Sequence, residues 1–599
     1  MILQPVNRHS IAYESLRYRP YAVGELKARD NHPVGAIDTE TYQGAARLIA
    51  DHWGNYLLEP DADAILSFLT HNRFRKRHTF AYNLQYDAEA ILKLLPTENL
   101  QEITADKSTT YNVWTIKYIP KKLLTVKDRH RNTSRFFDLA QFFETSLDAA
   151  LQKYLGMKKR EYEHRAALNI DLSIWESEID QIIAYNKDDA YKTAVLGEFL
   201  QHNVKRLFNF NPRSYISKAS LAKDLVRLVG YLPDVKKIPR GALKYAFYAY
   251  KGGRFEVLQR GYFPHVRLYD INSAYPYTIR SLIDVTKGQW DKVREMTSGA
   301  YYGFYLCSVF AMPRFICPVA YILPNKVICF PAGWVHTYLT RNEIEAYEKH
   351  TYIEVRHGWE FTPDEIIYPF REYVDKLFAQ KQLFTKEDYE YDLVKKMMNS
   401  VYGCFYEKND DGGRLTAGLM FNPVYASIIT ADTRAALYKA AMKHEEKNIA
   451  MATDSLMTEG DVRLKTSKEL GGWHLESEGD AVVLQSGLYQ IAGKLRTRGI
   501  QRASRITIEG TTYADIFTAI KARPDPTAYT ITQERPLHLR ECMAHTLTRS
   551  RDDINVWHTV TKTININNDV KRRWHDEFKR GGDIFSTSHT SEPWQLYKQ

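Results

Sequence analysis

Along the first 200 positions, short apolar runs alternate with amphipathic ones. VGAIDTETY, TFAYNLQYD, YNVWTIKYI and SRFFDLAQFF read as strands, while DADAILSFLTHNRF and EIDQIIAYNKDDAYKTAVLGEFL carry apolar residues at helical spacing. That alternation predicts an α/β domain ending near residue 200. PRSYISKASLAKDLVRLV then opens new helical material. From Ile279 to about Pro363, Gly and Pro breakers separate short strand-like runs. PFREYVDKLFAQKQLFTKEDYEYDLVKKMMNSVYGCFY predicts two long helices joined near Thr385. NIAMATDSLMTE, from Asn448 to Glu459, predicts a strand, a tight Thr-Asp-Ser turn and a second strand. The chain beyond about residue 525 is polar and basic and includes KRRWHDEFKRGG.

Several apolar runs end in acids. Asp38 and Glu40 close VGAIDTET, and residues i and i+2 of a strand share a face, so both carboxylates aim at one spot. Asp87 follows FAYNLQY, and Tyr185 and Asp189 in IIAYNKDDAY are four apart on a helix face. Four acids converging from separate elements repel one another unless cations lie between them. Two divalent ions about 3.5–4 Å apart would answer that repulsion, one activating a water and the other stabilising a leaving oxygen. A tyrosine hydroxyl such as that of Tyr185 would orient the water. A lone DxE at a strand end is surface decoration in most proteins; the signal is all five residues in this order.

In RLYDINSAYP, Asp270 ends an apolar strand and Tyr275 follows five residues on; the bland alternative is a strand-to-helix turn capped by Asn272 and Ser273. Lys395, Asn399 and Tyr402 fall at i, i+4 and i+7, one stripe of a long helix. The stripe suits a solvated face as well as a grip on a triphosphate. Lys381, on the preceding helix, can point into the same gap. Asp270 and Asp454, both at strand ends, would hold two metals for in-line attack on an α-phosphate.

Composition narrows the partner. The chain has 599 residues, enough for two to four domains, and is 44% hydrophobic and 26% charged, as soluble globular proteins are. Aromatics reach 13%, with 41 Tyr, and the formal net charge is +10, which suits a polyanion: cations meet phosphates and rings stack on bases. The cysteines, Cys307, Cys317, Cys329, Cys404 and Cys542, are odd in number and form no CxxC, so neither a disulfide framework nor a zinc site is expected. MILQPVNRHSIAYESLRYRP lacks the pattern of a secretory leader, and no apolar run approaches the ~18 residues of a membrane span. A cytoplasmic protein without a membrane partner is the expectation.

Taken together, the motifs resemble a family B DNA polymerase of the protein-primed branch, as in small podophages and adenoviruses. IDTET, YNLQYD and YNKDD match the three exonuclease motifs, and DINSAYP, KKMMNSVYG and ATDS the polymerase motifs, in the family's order over about residues 35 to 500. The resemblance implies an α/β and α+β multidomain chain: a ribonuclease H-like 3′–5′ exonuclease domain at 1–200, then a right-hand polymerase. Its palm would lie at 201–280 and 422–524, its fingers at 366–404, and its thumb and C-terminal region at 525–599. Residues 281–365 resemble the insertion that contacts a terminal protein. Residues 405–421 would be a shortened second insertion, which puts helicase-free strand displacement in doubt.

The resemblance also assigns residues. Asp38, Glu40, Asp87 and Asp189, with Tyr185, would form the exonuclease site, and Asp270 and Asp454 the polymerase site, each holding two Mg²⁺ or Mn²⁺ ions. Tyr275, Lys381, Lys395, Asn399 and Tyr402 would bind the dNTP, with Tyr275 under its sugar. DNA contacts would come from Thr41, Asn83 and Tyr86, from Tyr250, Gly252 and Gly253 of YKGG, from Thr430 and Arg434 of TADTR, and from Lys494, Arg496 and Arg498 of KLRTRG. Either Lys158 or Lys159 would steady the scissile phosphate. Ser146-Leu147 is a candidate single-strand-binding motif, with a helix N-cap as the plain alternative. Implied partners are primer-template DNA, single-stranded DNA, dNTPs and a terminal protein primer, with the enzyme a monomer. ATDS departs from the family pattern, because Ala452 stands where Asp-Thr-Asp has its first acid. The alternative function is therefore a DNA-binding 3′–5′ exonuclease with a decayed polymerase site. Against decay, Asp270, Tyr275, Lys395, Asn399, Tyr402 and Lys494 all remain. A non-enzymatic replication-fork scaffold would need both acid sets idle.

Overall fold

The computed structural model describes residues 13–17, 31–411, 414–500, 506–508, 511–522, 528–544, 549–575 and 584–596. The N-terminal third builds an eight-stranded sheet from β1 (Val34–Tyr42), β2 (Ala45–Asp51), β3 (Tyr56–Leu58), β4 (His78–Ala81), β5 (Ser108–Tyr111), β6 (Trp114–Ile119), β7 (Leu123–Lys127) and β8 (Thr133–Asp138). Their order is β3-β2-β1-β4-β8-β7-β6-β5. β1, β4 and β8 run parallel, and the flanking strands pair antiparallel. Parallel strands need cover on both faces, which explains why the first half of β1 is apolar without alternation. Helix α1 (Leu84–Leu92) packs with Ile37 and Ile49 on one face. The long helix α2 (Ile179–Phe208) packs through Leu196 and Leu200 against Val34, Ala36 and Phe80 on the other. Gly197 makes that approach possible, since a Cβ there would lie 2.8 Å from the Phe80 ring.

A second, antiparallel sheet forms the centre of the molecule: β9 (Phe255–Val257), β10 (Gln259–Ile271), β11 (Asn448–Ala452), β12 (Ser455–Glu459), β13 (Trp473–Gln485), β14 (Leu488–Ile491) and β15 (Lys494–Thr497). Their order is β15-β14-β13-β10-β12-β11-β9. The expected strand-turn-strand at Asn448–Glu459 is thus present, inside a sheet. The two expected helices are α3 (Arg371–Lys381) and α4 (Tyr389–Cys404), joined through a Thr385–Asp388 turn in which Thr385 N–H donates to Asp388 Oδ2 at 2.7 Å. Helix α5 (Pro423–Ala441) starts with Pro at its first turn, capped by Asn422, and is buried on nearly every side beneath the sheet.

The stretch expected as short strand-like runs is more regular than its breakers suggested. Tyr302–Ala311 pairs along its whole length with Ala332–Thr340 and with Thr351–Pro363, and Gly288–Val293 adds an outer strand. Lys408–Asp411 pairs antiparallel with Arg414–Ala417 in a small two-stranded sheet. Part of the C-terminal region returns to the two preceding sheets: Ser588–Glu592 pairs with the start of β10, and Gln595–Leu596 with Ala332–Gly333. Among the described residues no helix is long and apolar enough to cross a membrane.

Candidate active sites

The first acid cluster lies at the C-terminal ends of β1, β4 and β8. Asp38 and Glu40 project from β1 and Asp189 from α2, and one oxygen of each falls within 4.8 Å of the others. Asp87, in the first turn of α1, is buried and set back; its Oδ1 accepts from Thr39 N–H at 3.0 Å and Thr39 Oγ1–H at 2.8 Å. Burial is the largest force on these groups. It pushes Glu40 up to about 8, with help from Asp189, and Asp87 up to about 7 against the Thr39 bonds. Asp38 rises well above the usual carboxylate range, by burial and then by Asp189 and Asp87, while Asn186 donates to it at 2.7 Å. Tyr185 is raised by burial and then by Asp189; its hydroxyl and Asp189 Oδ1 are both buried without a hydrogen-bond partner. An all-oxygen donor set with unsatisfied buried oxygens fits a hard divalent cation such as Mg²⁺ or Mn²⁺.

A groove of about 730 Å³, lined by Lys158, Lys159, Arg165 and Tyr185 among others, leads to this cluster. The two candidate lysines differ in position. Lys159 forms an ion pair with Asp189 and lies 4.6 Å from the Tyr185 ring centroid, while Lys158 is exposed on the groove wall. The hydroxyls of Thr41 and Tyr86 are 2.7 Å apart, and Asn83, exposed, opens α1 in a left-handed conformation at φ 65. Ser146 caps a helix by accepting from Ala149 N–H at 3.2 Å, the plain alternative. Sequence reasoning missed Asp138 and Arg165. Asp138 ends β8 after an apolar run, as Asp38 follows the apolar first half of β1, and burial raises it to about 6, so the same signal was present in SRFFD. Arg165 interacts electrostatically with Tyr185, Glu40, Asp189 and Asp38, and no spacing announces it.

The second acid site sits where β10 meets the β11–β12 turn. Asp270 pairs with Ser455, which sets it beside Asp454, and Ile271 N–H donates to the Asp454 carbonyl at 3.0 Å. The turn is tight: Thr453 lies at φ 59, and its N–H donates to the Arg254 carbonyl at 2.6 Å. Asp454 is pushed up to about 7 by burial and then by Asp270, and Asp270 up to about 6 by burial. The Lys395 charge pulls both down, so Lys395 lies near this site; Lys395 and Asn399 are exposed and Tyr402 half-buried. Lys381 donates to Asn272 Oδ1 and Ser273 Oγ, each at 3.2 Å, and burial lowers it to about 8. The Tyr275 and Tyr402 rings lie 4.3 Å apart, and the Tyr402 and Tyr250 hydroxyls are 2.7 Å apart. A Cβ on Gly253 would come within 3.1 Å of Thr453 and of the Tyr275 hydroxyl, so that glycine admits the turn.

Three expected DNA contacts need correction. Thr430 is fully buried and bonds back within α5. Arg434 is 1% exposed; its guanidinium pairs with Glu343 at 2.7 Å and donates to the Gly252 carbonyl, so Gly252 also faces inward. Arg434 braces the YKGG loop from behind, and all three residues are buried. Lys494, Arg496 and Arg498 are exposed; Arg496 pairs with Glu476 at 3.0 Å, and Arg498 lies 4.7 Å from the Phe255 ring centroid. Glu476 itself was not anticipated. It interacts with both Asp270 and Asp454, and so returns negative charge to a site that lost an acid at Ala452. Two carboxylates at strand ends, with this third nearby, again suit a hard divalent ion.

Comparison with known proteins places this geometry. A family model described as DNA polymerase type B, organellar and viral, matches residues 72–412. That span includes Asp87, Asp189, Asp270 and Lys395; Asp38, Glu40 and Asp454 lie outside it and rest on the geometry above. A "Probable DNA polymerase" of Podospora anserina is 28% identical over 161 residues, and one of Neurospora intermedia 26% over 250 residues. Those matches cover 26% and 38% of this chain but only 13% and 24% of the two relatives. Phi29 DNA polymerase complexed with primer-template DNA and incoming nucleotide substrates has the same fold, with a TM-score of 0.60 at 15% identity, over 90% of this chain and 100% of that one. The complex of Phi29 DNA polymerase with single-stranded DNA gives 0.54 at 17% identity, over 78% and 89%. The molecule is therefore an α/β N-terminal domain followed by a right-hand assembly of palm, fingers and thumb.

Proposed function

Because the chain belongs to the type B DNA polymerases of organelles and viruses, we propose that it is a DNA-directed DNA polymerase with a 3′–5′ proofreading exonuclease in its N-terminal domain. The observation that carries this reading is the meeting of Asp270, Asp454 and Lys395 from three separate elements. Divalent ions held by Asp270 and Asp454 would activate the primer hydroxyl and offset charge at the α-phosphate. Lys395 and Lys381 hold the triphosphate by charge. Tyr275 lies beneath the incoming sugar, where a 2′-hydroxyl would meet its ring. Tyr402, braced by the Tyr250 hydroxyl, backs the nascent base pair, and Asn399 continues the same stripe.

In the N-terminal site, Thr41, Asn83 and Tyr86 hold the unpaired 3′ end of a single strand. Lys159 steadies the scissile phosphate, and the unpartnered Tyr185 hydroxyl orients the attacking water between Asp38, Glu40 and Asp189. Lys494, Arg496 and Arg498 grip the primer-template backbone. The sheet at 281–365, set beside the palm, supports a partnership with a terminal protein whose hydroxyl serves as primer. The enzyme would then copy a phage, virus or mobile-element genome as a monomer in the host cytoplasm.

A labelled primer-template with a frayed 3′ end tests the reading. Growth with dNTPs and shortening without them support both activities. Shortening alone supports the alternative that Ala452 motivates, an exonuclease with a decayed polymerase site, and the absence of both activities supports a scaffold. Labelled dATP with a candidate terminal protein tests priming: a protein–nucleotide adduct supports it, and DNA-primed synthesis alone refutes it.

A further inference from the structure

The core of the N-terminal domain is completed by residues from the other end of the chain. Leu537, Leu539, Cys542 and Ile554 are buried in the same cluster as Ile37, Leu84 and Ile91. They belong to an arm between the two strands of the C-terminal hairpin, Ala528–Pro536 and Trp557–Asn565. The arm grips α1 along its length. At one end Asn555, fully buried at φ 58, donates to the Tyr86 carbonyl at 2.8 Å, and its own carbonyl accepts from Asn169 at 3.2 Å. In the middle, Glu89 accepts from Leu539 N–H at 3.1 Å. At the far end Lys93, 7% exposed, donates to three carbonyls: Gln43 at 2.6 Å, Asp552 at 2.7 Å and Ile554 at 2.9 Å. Arg551 returns a bond to the Lys93 carbonyl at 2.7 Å. The Ile554 carbonyl presses so close to Gly44, in the turn between β1 and β2, that a Cβ there would meet it at 2.0 Å.

A buried ammonium is costly unless its protons are satisfied, and here all three acceptors are main-chain groups, two of them from the arm. Helix α1 carries Tyr86 and Asp87 toward the acid cluster and Glu89 and Lys93 toward the arm. Gln43, held by Lys93, follows directly on Thr41 and Tyr42 of β1. We propose that residues 537–542 and 551–556 form a clasp that fixes the C-terminal hairpin onto α1 and positions Tyr86 and Asp87 for a primer 3′ end, so that the hairpin and the nuclease site are set as one unit. Asn555 and Lys93 are positioning residues. The proposal rests on the exonuclease reading above.

The test uses the full chain with Asn555→Gly, Lys93→Met and Lys93→Arg. Asn555→Gly admits the left-handed backbone and removes the side-chain bond to the Tyr86 carbonyl. Amide exchange across Leu84–Leu92 should quicken about tenfold in Asn555→Gly, as loss of one buried hydrogen bond of ordinary strength predicts. Excision of a mispaired primer end should fall in Asn555→Gly and Lys93→Met, recover in Lys93→Arg, and leave extension of a paired primer unchanged. Unchanged exchange in α1 overturns the clasp, and so does an equal fall of excision and extension with a lowered melting temperature. Faster exchange in a protein whose wild type degrades no DNA supports the clasp and refutes the exonuclease reading, so the two failures are told apart.

Discussion

Asp454, in the turn between β11 and β12, sits next to Ser455, the strand partner of Asp270, and the Asp270 charge makes Asp454 harder to ionise. A divalent cation between them would offset that repulsion and favour both carboxylates in the ionised form. Asp454→Ala should therefore abolish primer extension in any metal and leave excision intact, because the nuclease acids sit on a different sheet. Asp38→Ala with Glu40→Ala should do the reverse. Extension by Asp454→Ala, measured on a labelled primer, would remove this turn from the chemistry.

What the sequence made legible was what periodicity encodes. Lys395, Asn399 and Tyr402 were readable as a stripe because α4 buries Leu393, Val394, Met397, Met398 and Val401 elsewhere, leaving one face to the gap. Asp38 and Glu40 were readable because a strand returns to the same face every second residue. Helix α5 gave no such guide: it is buried almost all round, so position along it could not tell a DNA-facing Arg434 from an enclosed one. The partner that encloses it, Glu343, comes from the insertion, 91 positions away. Glu476 approaches Asp270 only through the pairing of β10 with β13, where Asp270 sits opposite His474. Register of that kind is set by long-range packing and leaves no local mark.

Lys395 should act on the nucleotide. It is exposed on α4 and faces both palm carboxylates without pairing to either, so its charge is available to a triphosphate. Losing one charge-assisted contact costs about 1.5–3 kcal/mol, so Lys395→Ala should raise the dNTP concentration needed for half-maximal extension roughly tenfold or more. DNA affinity, read by gel shift, should stay unchanged; a loss there with normal dNTP dependence would place Lys395 on the DNA.

Arg434 and Glu343 should behave as a buried ion pair. Arg434→Met leaves Glu343 charged and unpaired in the interior, at a cost of about 3–5 kcal/mol. Replacing both, Arg434→Met with Glu343→Leu, should recover part of that stability, because the stranded carboxylate is gone while the buried Lys251 loses its attraction to Glu343. Extension should fall in the single variant together with the melting temperature. A folded Arg434→Met of normal stability that has lost primer binding would restore the DNA-contact assignment.

The nuclease acids should make the metal-free protein sensitive to alkali. Burial holds Glu40 at about 8 and Asp87 at about 7, whereas unfolded carboxylates titrate near 4. Between those limits the folded state binds more protons, so its stability falls as pH rises from about 4 to 8. The chelated protein should melt lower at pH 8 than Glu40→Gln does, with the gap closing toward pH 5 and with Mg²⁺ added at pH 8. A wild type that gains stability over Glu40→Gln as pH rises would mean these carboxylates are already paired with cations of the chain.

Ala452 bears on the metal rather than on the fold. It is half-buried on β11, pairing with Ser455 and Phe255, where the family pattern has an acid. One carboxylate near a divalent ion contributes several kcal/mol of attraction at an effective dielectric near 20, so its loss weakens metal occupancy unless another acid compensates. Glu476 is placed to compensate in part, but it is tied to Arg496 at 3.0 Å and so offers less than a free carboxylate. Wild type should therefore extend primers, better in Mn²⁺ than in Mg²⁺, since Mn²⁺ binds a given oxygen site at least as strongly. Ala452→Asp should lower the Mg²⁺ concentration for half-maximal extension, and Glu476→Gln should raise it. Combining Glu476→Gln with Ala452→Asp should return the requirement toward that of the wild type, because one acid replaces the other. If neither substitution moves the Mg²⁺ titration, Asp270 and Asp454 hold the ions alone and the missing acid at Ala452 is without consequence.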